Sequence, residues 1–265
     1  MKDSDSNNRK DSPDDVILDG WFSPVYTDSR PVRIDAQKAA QYRCVCFNPD
    51  APEIECYKVI RTRILQRTKG HGHNTIMITS ALPGEGKTLT TINLGISFAK
   101  EFDHTVLLVD CDLRQQMIHQ YLGFDSPVGL VDAFRENRPL TDLIVWPEVE
   151  KLTIISGGSL LRESSELIES PRMKTLIQEI KTRYPDRYIF FDTPPVLSCA
   201  DAIGFAPLVD GVIMVVQAGK TSIDDAKRAA SLIPPEKFLG FIINRQTGRI
   251  KHGYGYGYGY GYGAR

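Results

Sequence analysis

The sequence predicts an α/β fold, a doubly wound and mainly parallel sheet with helices on both faces. Three observations carry that expectation. Short apolar runs rich in β-branched and aromatic residues recur along the chain, as they do in strands buried on both faces. Stretches with helical spacing of apolar residues lie between them, which is the βαβ alternation of a parallel sheet. A glycine-containing loop, Ala81-Leu82-Pro83-Gly84-Glu85-Gly86-Lys87-Thr88, joins one such run to one such stretch.

In chain order, residues 1–52 are rich in Asp, Ser, Asn and Pro and read as a largely flexible N-terminal arm. Gly20-Trp21-Phe22 and Pro24-Val25-Tyr26 are isolated apolar patches within it, so a linker and a docking segment both fit. From Pro52 the pattern turns helical, with Ile54, Tyr57, Ile60, Ile64 and Leu65 on roughly one stripe. Residues 75–79 are expected as a strand, 87–100 as a helix and 105–109 as the next strand. Residues 152–155, 188–191, 212–216 and 238–243 read as further buried strands, with amphipathic stretches at 165–183 and 222–232. Residues 53–250 are thus expected to form one domain, and a chain of 265 residues that is 42% hydrophobic can bury a large core. Residues 251–265 form a tail in which Gly and Tyr alternate from Gly253 to Gly263. Such a repeat has no apolar face to bury and a high ordering entropy, so it is expected to stay flexible. It would offer the hydroxyls of Tyr254, Tyr256, Tyr258, Tyr260 and Tyr262 to any site within reach.

Composition narrows the function. A formal net charge of -1 argues against nucleic acid as the main partner, which normally shows as a basic excess. Five cysteines, odd in number and without a C-x-x-C pair, indicate neither a disulfide framework nor a zinc site. They read as reduced thiols in the cytosol. The start, from Met1 to Asp15, lacks the apolar run of a signal peptide, and no stretch reaches the roughly 18 apolar residues that span a bilayer. A cytoplasmic location is expected, with membrane association only through a partner.

The chemistry begins at the loop. A strand ending at Ser80, a Gly-containing turn and a helix starting near Lys87 would aim the backbone N–H groups of Gly84, Glu85, Gly86, Lys87, Thr88 and Leu89 at a phosphate chain. Lys87 would pair with β/γ oxygens of ATP and Thr88 would ligate Mg²⁺, as in a phosphate-loop NTPase fold. Ala81 stands where the first glycine of the pattern is usual. Two further strands end in carboxylates, Asp110 and Asp112 after one and Asp192 after the other. Strand C-termini are where open α/β sheets bind ligands, and carboxylates there can hold a metal or accept a proton. Asn244, at another strand end, fits both a contact with the nucleotide base and a plain turn.

The D-x-D-x-R run Asp110-Cys111-Asp112-Leu113-Arg114, the run Phe191-Asp192-Thr193-Pro194-Pro195, the loop Pro83-Gly84-Glu85-Gly86-Lys87-Thr88 and the terminal tyrosine cluster together resemble the bacterial tyrosine kinases, the cytoplasmic autokinases of capsule and exopolysaccharide synthesis. The resemblance implies that Lys87 and Thr88 bind phosphates and magnesium, that Asp110 and Asp112 supply the base and a metal contact, and that Asp192 supports the metal. Asp110 is the expected base. The resemblance further implies transfer from ATP to the chain's own tyrosines, a ring of subunits, and activation by a separate membrane protein that controls polysaccharide chain length. In the family, a helix before the first strand carries E-x-x-R-x-x-R at the ring contact. Here it reads Glu55, Lys58 and Arg61, and Lys58 keeps the charge but loses the bidentate fork.

Two rivals remain at this level. A partitioning or division-site-positioning ATPase has a similar fold, but carries a second lysine near the start of the loop, where this chain has Leu82. A nucleotide-gated scaffold would use the Gly-Tyr tail as a stacking segment. His71 and His73 read as solvated loop residues, and Ser165 with Glu166 as a helix cap.

Overall fold

The computed structural model describes residues 29–183 and 186–246, with strands β1 (Arg30–Pro31), β2 (Thr75–Ser80), β3 (Thr105–Asp110), β4 (Ile144–Trp146), β5 (Leu152–Ile155), β6 (Arg187–Asp192), β7 (Gly211–Gln217) and β8 (Phe238–Asn244). Its helices are α1 (Ala36–Gln41), α2 (Ile54–Thr68), α3 (Lys87–Ala99), α4 (Ile118–Leu122), α5 (Leu130–Glu136), α6 (Ser165–Ile168), α7 (Pro171–Arg183), α8 (Asp201–Phe205) and α9 (Ile223–Ser231). The strands form one sheet in the order β1-β4-β5-β3-β6-β2-β7-β8. Every pairing is parallel except β4 with β5. This is the doubly wound sheet that the alternating pattern predicts.

β2 is buried at all six positions because it lies between β6 and β7, with helices over both of its faces. One core layer, under α5 to α9, gathers Met77, Leu107, Ile189, Phe191 and Phe205. The other, under α1 to α4, gathers Ile76, Ile78, Leu108, Phe98 and Phe190. α3 is buried along almost its whole length. It approaches the sheet closely because Gly95 has no side chain: a Cβ there would lie 2.5 Å from Cδ2 of Leu108. The β2–α3 unit therefore sits inside the molecule, and the loop between β2 and α3 opens at the C-terminal edge of the sheet.

Three differences from the sequence reading have physical causes. Residues 29–52, expected as part of a flexible arm, are packed: Val32, Ala39, Cys44 and Cys46 are buried. The buried Asn93 of α3 holds them, its Oδ1 accepting from Cys46 N at 3.0 Å and its Nδ2 donating to Arg43 O at 3.3 Å. The polar composition of this segment hides four apolar residues too widely spaced to form a periodic signal. The stretch 165–183 is two helices, broken at Ser170 and Pro171, where proline starts α7 without an N–H to donate. Ser165 is not a cap but the first residue of α6, and its hydroxyl donates to Asp201 Oδ1 at 2.5 Å. The region between β3 and β5 holds α4, α5 and β4, elements too short to show a period. The rest of the arm, residues 1–28, and the tail with its five tyrosines lie outside the described residues.

Candidate active site

The loop after β2 needs its two glycines. Gly84 has φ +79° and Gly86 φ +95°, left-handed backbone that L side chains rarely adopt. At Gly86 a Cβ would also lie 2.2 Å from Nδ2 of Asn244. Ala81, in place of the usual first glycine, is fully buried in the core under α5 to α9, where its methyl group packs. Glu85 is buried and straps the loop from inside. Its Oε2 accepts from Leu82 N at 2.8 Å, its Oε1 accepts from the Thr221 hydroxyl, and its carbonyl accepts from Asn244 Nδ2 at 2.8 Å. Asn244 thus reaches the loop from the end of β8, and Leu89 is half-buried against the α3 core layer. Thr221 was invisible in the sequence, since a threonine in a turn carries no motif.

Parallel pairing places Asp110 opposite Asp192 at the ends of β3 and β6. Lys87, at the first position of α3, lies between carboxylates: its Nζ is 2.8 Å from Asp112 Oδ2 and 3.4 Å from Asp192 Oδ1. Thr88 Oγ1 donates to Asp192 Oδ2 at 2.5 Å. Burial works against the charge on Lys87, but Asp192, Asp112 and Asp110 outweigh it and raise the ammonium above its ordinary value. Burial raises the Asp192 carboxyl, with Lys87 and the Thr88 hydroxyl working in the opposite direction.

Asp110 is fully buried and differently held. Its Oδ2 accepts from Met117 N at 3.0 Å and from Ile118 N at 3.1 Å, so it anchors the start of α4, and its Oδ1 accepts from Asp112 N at 3.3 Å. Burial and the neighbouring Asp192 push its carboxyl well above the usual range, against the Ile118 amide and Lys87. Asp112 Oδ1 accepts from Gln115 N at 3.1 Å, leaving its Oδ2 for Lys87. Arg114, the last residue of the D-x-D-x-R run, donates from Nε to Ser164 Oγ at 3.0 Å and pairs with the buried Asp201 at 3.2 Å. This tie between the β3 loop and α8 was also not foreseen.

Three carboxylates around one ammonium leave excess negative charge in a buried place, which suits a divalent cation. Among the described residues no three Asp, Glu, His or Cys side chains converge as a closed metal cage. Mg²⁺ keeps waters and takes one or two protein oxygens together with phosphate oxygens. Thr88 and Asp192, joined by their hydrogen bond, with Asp112 beside them, are the oxygens that could hold it.

The expected subunit-contact residues separate. Lys58 pairs with Glu55 at 2.7 Å on the exposed face of α2. Arg61 instead turns inward, pairing with Glu101 at 2.7 Å and donating to Ser97 O at 2.6 Å. His71 and His73 stand in the turn after α2 with ring centroids 5.6 Å apart. Two open clefts of about 520 and 530 Å³, one between α5 and α7 and one beside α1, lie away from the phosphate loop.

The sequence model of the AAA domain family matches residues 73–233. Tyrosine-protein kinase YwqD of Bacillus subtilis is 33% identical over 198 residues, covering 74% of this chain and 82% of its own. Tyrosine-protein kinase CpsD of Streptococcus agalactiae is 30% identical over 194 residues, covering 72% and 82%. Among solved structures, the chimerical protein CapA2B2 superposes with a TM-score of 0.71 at 26% identity, over 84% of this chain and 95% of its own.

Proposed function

Since this chain belongs to the family of bacterial tyrosine-protein kinases, within the AAA domain class, we propose that it is an ATP-dependent autokinase whose acceptors are the tyrosines of its own tail. The observation that carries this reading is the placement of Lys87 and Thr88, at the start of α3, against Asp112 and Asp192. Phosphate recognition, a place for a metal and proton-accepting carboxylates occupy one buried corner. The tail Tyr254, Tyr256, Tyr258, Tyr260 and Tyr262 supplies five phenols in a sequence with no evident packing role.

In the reaction, the phenol oxygen attacks the γ-phosphorus, the bond to the β-phosphate oxygen breaks, ADP leaves, and the phenol proton passes to a carboxylate. Tyrosine ionises near ~10, so that proton must be taken as the bond forms. Asp110 is the proposed base, held in place by the Met117 and Ile118 amides. Lys87 releases Asp112 and Asp192 to meet the β/γ oxygens, and the backbone N–H groups of residues 84–89 hold the phosphate chain. Thr88, Asp112 and Asp192 would hold Mg²⁺, which would supply neutralisation of the charge on the β- and γ-oxygens. Asn244, at the loop's rim, borders the base of the nucleotide.

The finer reading extends to assembly and place. We infer a homo-oligomer in ring form in which tails cross between subunits, contacting through the α2 face that carries Glu55 and Lys58, with Arg61 bracing that helix on α3. The chain would act in the cytoplasm at the inner face of the membrane, recruited and activated by a membrane chain-length regulator, in capsule or exopolysaccharide synthesis. Among the described residues no helix is long and apolar enough to cross a membrane.

Incubation of the purified chain with ATP and Mg²⁺, read by phosphotyrosine detection, tests the central claim. Lys87→Met should lower labelling by about 10²-fold or more while leaving the fold intact, because it removes the charge on the β/γ oxygens and not a packing group. Wild-type labelling by that variant would overturn the reading.

A further inference from the structure

Two tyrosines stand stacked beside the active site, and the reaction as described makes no use of them. Tyr42 ends α1 and Tyr121 lies on α4; their ring centroids are 4.2 Å apart and their planes 6° from parallel. The stack is held by backbone. Tyr42 N donates to Lys38 O at 2.9 Å, and Arg43, with φ +62°, turns the chain away immediately after it. Asp35 N donates to Leu122 O at 2.9 Å, locking the start of α1 to the end of α4. The two helices approach so closely at Gly123 that a Cβ there would lie 2.4 Å from Cβ of Asp35.

The same helix α4 is anchored at its other end to the active site. The Met117 and Ile118 amides donate to Asp110, so Tyr121 is separated from the proposed base by one turn of helix. Burial raises the Tyr121 phenol, Asp192 raises it further and Lys87 lowers it. Tyr42, the outer ring, is 37% exposed. More than a third of Tyr42 is thus left to solvent, on a stack tied through α4 to a site whose proposed substrate is itself an aromatic ring.

We propose that the Tyr42–Tyr121 stack is an acceptor platform, on which the ring of an incoming tail tyrosine lies while its hydroxyl enters the site. The inference rests on the tail reading above. The tail's sequence fits the platform: each of its five tyrosines is flanked by glycines, which have no Cβ to keep the ring from lying flat. The five identical repeats let any one of them take the place of another on the same surface, and stacking recognises the ring without a charge or a hydrogen-bond code.

The test separates donor from acceptor using full-length chains. The acceptor is the Lys87→Met protein with its natural tail. The enzyme is an active chain in which Tyr254, Tyr256, Tyr258, Tyr260 and Tyr262 are replaced by Ser, with and without Tyr42→Leu. Tyr42→Leu should raise the KM for the acceptor about two- to tenfold, the size of one aromatic contact, and leave the KM for ATP unchanged. Tyr42→Phe should match the parent. An unchanged acceptor KM in Tyr42→Leu, or a parallel loss of ATP affinity, would overturn the platform. If Tyr42→Leu does not fold, Tyr42→Trp reads the same property with a wider ring: an acceptor KM at or below the parent's supports the platform, and one above it overturns it. Phosphate found by mass spectrometry on Tyr42 or Tyr121 would make the pair substrates and also overturn it. A natural chain that forms no phosphotyrosine at all would overturn the tail reading itself, and this inference with it.

Discussion

At the scale of single residues, Asp110 and Asp112 are two residues apart and do different things. Asp112 spends one oxygen on Lys87, whereas Asp110 accepts only backbone N–H groups and stays fully buried. Asp110→Asn should therefore reduce turnover by about 10²–10⁴-fold, the usual contribution of a general base, with nucleotide affinity little changed. Equal loss of ATP binding, measured by titration calorimetry, would make Asp110 chiefly a metal-site residue. The placement of Lys87, Thr88 and the glycines was legible in the sequence because it follows from backbone geometry: left-handed turns and a helix start both leave a local pattern. Thr221, Ser164 and Asp201 left none. They act on Glu85 and Arg114 across 136, 50 and 87 positions of sequence, and no local spacing encodes such a contact.

At the scale of elements, the start of β2 is fixed by a half-buried carboxylate. Asp210 accepts from Asn74 N at 3.0 Å, from Thr75 N at 3.1 Å and from Thr75 Oγ1 at 2.7 Å, and it pairs with Lys181 of α7. Burial alone would raise its carboxyl, but Lys181, Thr75 and Asn74 prevail and hold it below the ordinary 3.8. A lowered value in the folded state means that the unfolded chain binds the proton more readily. The stabilisation is therefore present above the ordinary carboxylate range and is lost as pH falls through it towards the folded value. Asp210→Asn should cost about 1–3 kcal/mol at neutral pH, and its melting temperature should approach that of wild type in acid below about pH 3. Parallel loss of stability in both proteins across that range would refute the assignment. The central strands were readable for the reason that makes them central: burial on both faces leaves nearly continuous apolar runs. β1, β4 and α4 were not, because two to five residues cannot display a period, and the packing of residues 29–52 depends on Asn93 more than on any hydrophobic repeat.

At the scale of the whole molecule, charge links modification to assembly. Each phosphate adds about −1.5 to −2 at neutral pH, so five would add roughly −7.5 to −10 to a chain of formal charge -1. Tails from Lys251 to Tyr262 could span at most about 36–40 Å, so in the proposed ring several could reach one neighbourhood, where charges closer than a Debye length would repel. An unphosphorylated oligomer should thus fall to smaller species as the tail is modified, followed by light scattering during incubation with ATP. An assembly that keeps its mass when fully phosphorylated would rule out release by charge. The order of strands has a consequence of another kind. β2, which carries the phosphate loop, pairs only with β6 and β7, which lie more than a hundred residues further along the chain, and the loop is strapped by Asn244 at the end of β8. During synthesis the loop emerges early, and β2 has no strand to pair with until β6, more than a hundred residues later, has been made. Such non-local pairing folds slowly, and a nascent chain cannot use ATP to stabilise itself along the way. The strand that carries the loop is complete only once β6 and β7 have joined it.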